Sequence, residues 1–191
     1  MLCVQKTAKF SVLSCGQATR ATQASGDADD TLFRKLIALF EARGVAHARL
    51  LHAPTLTSEA SVVERRKGGW TDTTLGSGAK AMLMRRSKGG FALCVLAADR
   101  KLDWKKLKKA VAKDLRLATT EEVFEASRCV PGAVPPFGSQ FFAETRTFVD
   151  HSLGQNERIN FNCGLRTQSV RLDFDSYLAL EQPTLVDIVA S

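Results

Sequence analysis

The sequence predicts an α+β domain in which helices and short strands are mixed along the chain. Stretches with helical periodicity are interleaved with short apolar runs, and neighbouring runs are often joined by short polar loops. This order favours a mixed sheet with flanking helices over strict βαβ winding. A length of 191 residues fits a single domain, and 45% hydrophobic with 25% charged residues is typical of a globular protein.

The first 30 residues differ in composition from the rest of the chain. They are rich in Ser, Thr, Ala and Gln, and they carry basic residues but no acidic one before Asp27. We predict that residues 1–30 are a poorly ordered extension, with a mitochondrial transit peptide as the alternative. The folded domain is predicted over residues 31–191. We expect a cytoplasmic protein, or a mitochondrial one if the alternative holds.

The charge is distributed unevenly along the chain. Residues 1–116 hold 22 basic and 10 acidic side chains, a net charge of +12, whereas residues 117–191 hold 5 and 10, a net charge of −5. A basic half suggests a polyanionic partner such as a nucleic acid. No apolar run approaches the roughly 20 residues that a membrane span needs, so no membrane partner is expected. A monomer is the default oligomeric state.

Cysteine and histidine usage argues against a disulfide scaffold or a zinc site. The five cysteines are odd in number and no two form a CxxC pair. None of the three histidines lies at ligand spacing from a cysteine. We therefore expect no metal, no cofactor and a reducing compartment.

Two helices are predicted early in the domain. In the first, apolar residues recur at helical spacing and a glycine follows at a C-cap position: Leu32, Phe33, Leu36, Ile37, Leu39, Phe40 and Gly44. The second begins at Thr57 or Ser58, with Ser58 as a good N-cap and Glu59 complementing the helix N-terminus. It should end near Gly68.

Two further helices are predicted from capping residues. Asp103 is the expected N-cap of a lysine-rich helix. The apolar face of that helix consists of Trp104, Leu107 and Val111. Thr119 or Thr120 is the expected cap of a helix that runs through Glu125, and Thr119 and Glu122 have the spacing of a capping box.

Short apolar runs predict the strands. One pair covers residues 79–84 and 91–97, joined by a polar loop with two glycines. Residues 130–138 contain three prolines and two glycines and cannot form a regular element. The remaining predicted elements are strands at 115–118, 147–150, 159–162 and 169–172, and a short helix at 174–180.

Lys80 lies inside the apolar run of residues 79–84. Burial of an unpaired lysine is costly, so its amine must emerge on an open face or meet an anion there. Both readings are open from the pattern alone, and the second makes Lys80 a candidate functional residue.

The rigid loop from Gly132 to Gly138 is a second candidate. Such a loop can present backbone N–H groups to a ligand with little ordering cost, although a tight structural turn accounts for the same residues. No G-x-S-x-G motif and no P-loop signature occurs in the chain. A serine-nucleophile or nucleotide-triphosphate site is therefore not indicated.

The lysine-rich helix after Asp103 is a candidate contact for RNA phosphates. Its candidate residues are Lys105, Lys106, Lys108 and Lys109. A solvated helix face is the alternative interpretation.

Taken in order, several segments resemble the YbaK/prolyl-tRNA synthetase-associated editing domain family. They are GAKAML at 78–83, FALCVLAADRKLD at 91–103, RLAT at 116–119 with EEV at 121–123, CVPGAVPPFG at 129–138, VD at 149–150, FNCG at 161–164 and VDI at 186–188. Each fragment is short, but together they follow the family order over residues 31–191. The resemblance implies a single α+β domain around a mixed, curved sheet.

The resemblance also implies an activity. Members of the family hydrolyse the ester between a mischarged amino acid and its tRNA, and at 191 residues this chain resembles the free-standing, trans-acting type. The implied site positions the ester and the terminal adenosine without a metal or a protein nucleophile. The implied partner is the acceptor end of an aminoacyl-tRNA, with an aminoacyl-tRNA synthetase or synthetase complex as a further candidate.

Site residues follow from the same resemblance. The family lysine corresponds to Lys80, and the family G-x-x-x-P loop runs from Gly132 to Pro136, which makes Lys80 and Gly132 the expected catalytic residues. The expected substrate-binding residues are Ala133, Val134, Pro135, Pro136, Thr57, Ser58, Asn162 and Gly164.

The amino acid removed is the least determined part of the prediction. Ala81 follows Lys80 where several alanine-editing relatives carry a polar residue. Ala-tRNA(Pro) is the first expectation, with cysteinyl and seryl or threonyl esters behind it. A non-catalytic tRNA-binding or synthetase-associated module is the alternative function, and a small-molecule esterase on the same fold is a third.

Overall fold

The computed structural model describes residues 30–190, so all but the last residue of the predicted N-terminal extension lies outside the described part of the chain. The helices are α1 (Thr31–Ala42), α2 (Ser58–Lys67), α3 (Trp104–Ala110), α4 (Thr120–Ser127), α5 (Gly138–Phe141) and α6 (Phe174–Glu181), with a 3-10 helix at His151–Gln155. The strands are β1 (His47–Leu51), β2 (Ala79–Arg86), β3 (Phe91–Ala97), β4 (Leu115–Leu117), β5 (Thr145–Asp150), β6 (Arg158–Asn162), β7 (Gln168–Asp173) and β8 (Thr184–Val186).

The α+β fold is confirmed, and its strands divide into two sheets rather than the single sheet expected. An antiparallel sheet has the order β1-β7-β6, and a mixed sheet has the order β4-β2-β3-β5-β8. They meet at an isolated parallel bridge between Gly78 and Asn160. The amide N–H of Asn160 donates to the carbonyl oxygen of Ser77 at 2.8 Å, and its side-chain amide donates to the Ser77 hydroxyl at 2.9 Å. The two sheets are therefore joined by one bridge and by side-chain contacts, not by a continuous ladder of strand pairing.

Capping residues fix the starts of α3 and α4 as predicted. The carboxylate of Asp103 accepts from the backbone of Lys105 and Lys106, and Thr119 with Glu122 forms the capping box of α4. In α2 the N-cap is Thr57 rather than Ser58. Thr57 has an extended backbone and its hydroxyl oxygen accepts from Ala60 N at 3.1 Å.

Packing differs from the predicted pattern at one position of α3. Leu107 is fully buried in a small core and Val111 packs against it, as expected from their shared face. Trp104 is 43% exposed and lies outside that core. Of the three residues on the predicted apolar face, Leu107 alone is fully buried.

Two strands were not predicted from the sequence. Strand β1 is an edge strand whose residues are exposed or half-buried, so it lacks a clear apolar pattern. Strand β8 has three residues and exists through parallel pairing with β5. Both depend on partners far away in the chain, which local periodicity does not report.

Strand β3 separates two cores. Leu93 and Val95 point into a large core formed with α1, β6 and β7, whereas Ala92 and Cys94 belong to the smaller core beneath α3. Burial on both faces explains why β3 is a continuous apolar run.

The loop at 130–138 is anchored in the large core by Phe137. The Phe137 ring lies 5.6 Å from Phe40, 5.8 Å from Phe161 and 5.2 Å from Tyr177, measured between ring centroids. The Tyr177 hydroxyl donates to the carbonyl oxygen of Pro136 at 2.8 Å. One half of the loop is thus fixed, and the other half is held over the sheet where a cavity opens. No helix within residues 30–190 is long and apolar enough to cross a membrane.

Candidate active site

A cavity of about 560 Å³ opens between five parts of the fold. Its walls are the start of α2, the first half of β2, the end of β4 with the start of α4, the loop at 131–134 and the polar side chains of β6. Among the residues predicted for the site, the cavity is lined by Thr57, Ser58, Lys80, Gly132, Val134 and Asn162. Segments up to a hundred residues apart therefore converge on one space.

Lys80 emerges from β2 into this cavity. Its backbone pairs with Leu96 on β3, and its Nζ donates to the carbonyl oxygen of Arg100 at 2.9 Å. Partial burial lowers the pKa of Lys80 below its ordinary value, and the charges of Asp99 and Glu59 oppose that shift. No carboxylate within residues 30–190 forms an ion pair with the amine, and Lys80 lines the cavity.

The Gly132 loop presents a backbone turn to the same space. Gly132 has φ +84, a left-handed conformation that glycine adopts without strain. Its carbonyl oxygen accepts from the side-chain amide of Asn162 at 2.9 Å. The Ala133 N–H is used within the turn, where it donates to Val130 O at 3.0 Å. The N–H groups of Gly132 and Val134 donate to no protein acceptor in residues 30–190, so they are the loop's available donors.

Four of the predicted substrate-binding residues do not line the cavity: Ala133, Pro135, Pro136 and Gly164. Ala133 is fully buried, and its carbonyl oxygen accepts from the N–H of Gly164 at 2.9 Å. These residues fasten the underside of the loop to the core. None of the four has a free N–H donor, because those of Ala133 and Gly164 are bonded and the two prolines have none.

The lysines of α3 lie away from the cavity. Lys105, Lys108 and Lys109 are exposed, and none of them is part of its lining. Lys106 instead binds Asp187 at 2.9 Å and the carbonyl oxygen of Val189 at 2.9 Å. It fastens the C-terminal segment to α3.

Arg65 is a cavity residue that the sequence analysis did not identify. It is 4% exposed, its Nε donates to Ser169 Oγ at 2.8 Å, and its Nη2 donates to Asn162 Oδ1 at 3.0 Å. In the sequence it is one of three consecutive basic residues at the end of α2. Only its spacing from the buried Ser61 and Val62 could have indicated that it faces inward.

The cavity is cationic and lacks the usual hydrolytic side chains. Its lining, as far as the described residues go, contains Lys80 and Arg65 but no Asp, Glu, His or Cys. Burial raises the pKa of the Cys94 thiol to about 12 and also raises that of Cys163, and neither thiol reaches the cavity. Residues 30–190 contain no group of three His, Cys, Asp or Glu side chains placed to hold a metal ion. The arrangement can bind and orient an ester and supply hydrogen-bond donors to it.

Comparison with known families places this site in context. The model of the aminoacyl-tRNA editing domain matches residues 52–180, which include both α2 and the Gly132 loop. The chain belongs to the aminoacyl-tRNA editing domain family. This membership confirms the family resemblance and the predicted class of activity, an aminoacyl-tRNA deacylase.

Relatives of this editing domain are similar over most of its length. It is 34% identical over 160 residues to the Multifunctional Ser/Thr-tRNA deacylase ProXp-y of Escherichia coli K12, a match that spans 81% of this chain and 90% of that protein. The ProXp-y of Escherichia coli O157:H7 matches to the same extent. The crystal structure of a candidate trans-editing enzyme for prolyl-tRNA synthetase superposes with a TM-score of 0.69 at 23% identity, over 88% of this chain and 100% of that one. The fold of the editing domain is thus shared with solved structures.

Proposed function

We propose that this editing domain acts in trans and hydrolyses the ester between a mischarged amino acid and the terminal ribose of a tRNA. The observation that carries the proposal is the cavity where Lys80, Gly132 and Asn162 meet, within a family of aminoacyl-tRNA editing domains. Its volume of about 560 Å³ lies within the range of small-molecule sites and suits an aminoacyl-adenosine.

The chemistry needs orientation more than a protein nucleophile. An aminoacyl ester is already activated, and the cavity offers no nucleophile–base pair among the described residues. We propose that Lys80 donates a hydrogen bond to a polar group of the bound substrate. Its Nζ has three N–H donors and only one protein acceptor, Arg100 O. The available N–H groups of the Gly132 loop are assigned to the ester, where they can stabilise negative charge on its oxygen. Water is then the attacking group.

Seryl and threonyl esters are the substrates that the lining supports best. Ser58 and Thr120 line the cavity, and their hydroxyl groups form no hydrogen bond within residues 30–190. They can pair with the hydroxyl of a seryl or threonyl side chain. The name of the Escherichia coli relative, a Ser/Thr-tRNA deacylase, supports the same choice.

An alanyl ester, the first expectation from the sequence, leaves those hydroxyls without a substrate partner. A site that pairs with a substrate hydroxyl discriminates strongly against an analogue that lacks it, because its own polar groups then lose a bond. We therefore rank the alanyl and cysteinyl esters together, behind the seryl and threonyl esters.

The tRNA body must be held outside the cavity. We propose that the exposed Lys105, Lys108 and Lys109 supply phosphate contacts, in keeping with the basic N-terminal part of the sequence. A synthetase or synthetase complex as a further partner is part of the same proposal.

The test is deacylation of seryl-, threonyl-, alanyl- and cysteinyl-tRNA by the wild type and by Lys80→Ala. Lys35→Ala is the matched control, because Lys35 is an exposed lysine on α1 outside the cavity. We expect seryl- or threonyl-tRNA to react at least about tenfold faster than alanyl-tRNA, and Lys80→Ala alone to lose that activity. Binding of tRNA without turnover of any ester would support the non-catalytic module instead.

A further inference from the structure

Arg65 is a buried cation without an acidic partner. Its side chain lines the cavity with 4% of its surface exposed, and no carboxylate within residues 30–190 lies within ion-pair distance. The other buried arginine, Arg171, differs in this respect. It binds Asp72 at 2.8 Å and stacks over the Trp70 ring at 4.7 Å. An uncompensated buried charge is unfavourable, so its retention beside a cavity indicates a ligand that supplies the missing negative charge.

One end of the Arg65 guanidinium is unused. Its Nε and Nη2 are bound to Ser169 and Asn162, and Nη1 donates to no protein acceptor in residues 30–190. A guanidinium is a rigid planar fork with five N–H donors, so fixing two of its nitrogens also fixes the third. Burial and the nearby charge of Arg171 lower the pKa of Arg65 to about 10, which leaves it protonated at neutral pH. The remaining donor is therefore charged and preorganised.

Asn162 links Arg65 to the Gly132 loop. Its oxygen accepts from Arg65 Nη2 at 3.0 Å, and its amide nitrogen donates to Gly132 O at 2.9 Å. One amide group thus separates the guanidinium from the loop. Arg65, Asn162 and Gly132 all line the cavity, so the guanidinium and the loop belong to one site.

We propose that Arg65 is a catalytic residue of this editing domain, and that its Nη1 donates to the carbonyl oxygen of the aminoacyl ester. The inference rests on the proposed deacylation. Water forms a bond to the ester carbon, and the carbonyl electron pair moves onto the oxygen that Arg65 and the Gly132 loop hold. The pair returns as the bond to the ribose oxygen breaks, and a proton originating from the water ends on that oxygen. The products are the free amino acid and a tRNA with its ribose hydroxyl restored.

The depth of Arg65 argues against a phosphate of the tRNA as its ligand. Phosphates continue the chain outward from the terminal nucleoside, whereas Arg65 is almost wholly enclosed. A neutral ester carbonyl acquires full negative charge only as water adds. The guanidinium therefore binds the transition state more strongly than the bound substrate, and its loss should lower kcat rather than raise KM.

The experiment compares Arg65→Met and Arg65→Lys with wild type on the aminoacyl-tRNA that the wild type hydrolyses fastest. We expect Arg65→Met to lower kcat about 100-fold or more with little change in KM, as removal of an oxyanion donor does. Its melting temperature should equal or exceed that of wild type, because an uncompensated buried charge is removed. Arg66→Met is the matched control, since Arg66 is the exposed next residue, lies outside the cavity and donates to Thr73 O.

A double variant separates direct from indirect action. If Arg65 only holds Asn162 in place, Arg65→Met combined with Asn162→Ala loses no more kcat than Asn162→Ala alone. If Arg65 contacts the carbonyl itself, as we propose, the double variant loses further activity.

Three results would overturn the proposal. They are an unchanged kcat in Arg65→Met, an effect confined to KM, and a double variant no worse than Asn162→Ala. If Arg65→Met does not fold, Arg65→Lys tests the proposal instead, because lysine keeps the positive charge but lacks the planar guanidinium. A wild-type kcat in Arg65→Lys would then contradict the proposal. Wild-type protein inactive on every ester would overturn the deacylase proposal and this one together, whereas an active wild type with an equally active Arg65→Met overturns this one alone.

Discussion

Asn162, the last residue of β6, donates from its side-chain amide to the carbonyl oxygen of Gly132 at 2.9 Å. The contact fixes the peptide that joins Gly132 to Ala133, which lies between the two N–H groups, those of Gly132 and Val134, that the loop leaves available. It joins residues 30 positions apart in the sequence. The candidate site therefore depends on a bond between a sheet and a loop.

The first prediction concerns this contact. Asn162→Ala should lower the rate of deacylation by about 100-fold, since a small displacement of an orienting group is enough for such a loss. Asn156→Ala is the control, because Asn156 donates to the carbonyl oxygen of Gly76 at 2.9 Å outside the cavity lining. Single-turnover rates with both variants decide the matter, and equal rates for the two would contradict a role for the Asn162 contact.

A second prediction uses the backbone of Gly132. Gly132→Ala places a side chain at φ +84, which should cost about 1–2 kcal/mol of unfolding free energy and shift the loop. Gly44 has φ +63 with open space around it and lies outside the cavity, so Gly44→Ala introduces comparable strain away from the site. We expect both variants to unfold at lower denaturant concentration and only Gly132→Ala to lose deacylation. A similar loss of activity in both would remove the loop from the mechanism.

The third prediction addresses the exposed lysines of α3. Replacing Lys105, Lys108 and Lys109 together with alanine should weaken tRNA binding uniformly and reduce the slope of log affinity against log salt by about 2–3. Lys106 stays unchanged in this variant, because its bond to Asp187 supports the C-terminal segment. Binding titrations at several salt concentrations measure the slope. A slope equal to that of wild type would show that these lysines are solvated and contact no phosphate.

The fourth prediction is a pH dependence of stability. Burial raises the pKa of Glu181, while hydrogen bonds from Thr147 and Ser139 oppose that shift. A raised pKa means that this carboxyl favours folding while it is protonated, and that this contribution is lost as the pH rises through its pKa in the folded protein. The unfolding free energy of Glu181→Gln relative to wild type should therefore be higher at pH 8 than at pH 4.5.

Urea unfolding of both proteins at the two pH values tests this fourth prediction. Glu157→Gln serves as the control, because the Glu157 side chain is 84% exposed. The interpretation of Glu181 fails if the difference between Glu181→Gln and wild type is the same at both pH values.

Local chemistry explains what could be predicted. The capping box at Thr119 and the cap at Asp103 depend on residues within one turn, and both were read from the sequence. Lys80 was identified because a charge inside an apolar strand is anomalous on its own. Thr57 and Ser58 offered two adjacent caps, and backbone geometry chose between them.

Tertiary pairing explains what could not be predicted. Strand β1 has a weak apolar pattern and is defined by its register with β7, from His47 opposite Leu172. The same limit applies to Arg65, which looks like any basic residue at a helix end until its partners are known. Those partners, Ser169 and Asn162, lie 104 and 97 residues further along the chain.

The sequence by itself determined the α+β class, the caps, the rigid loop and the unusual lysine, because each rests on interactions between neighbours in the chain. Only the tertiary structure decided which predicted residues share a cavity, that half of the Gly132 loop faces the core, and that an unpaired guanidinium stands beside it. The physical reason is that burial and hydrogen-bond partners are set by packing between distant segments. What a charge such as that of Arg65 can bind therefore depends on the groups that surround it.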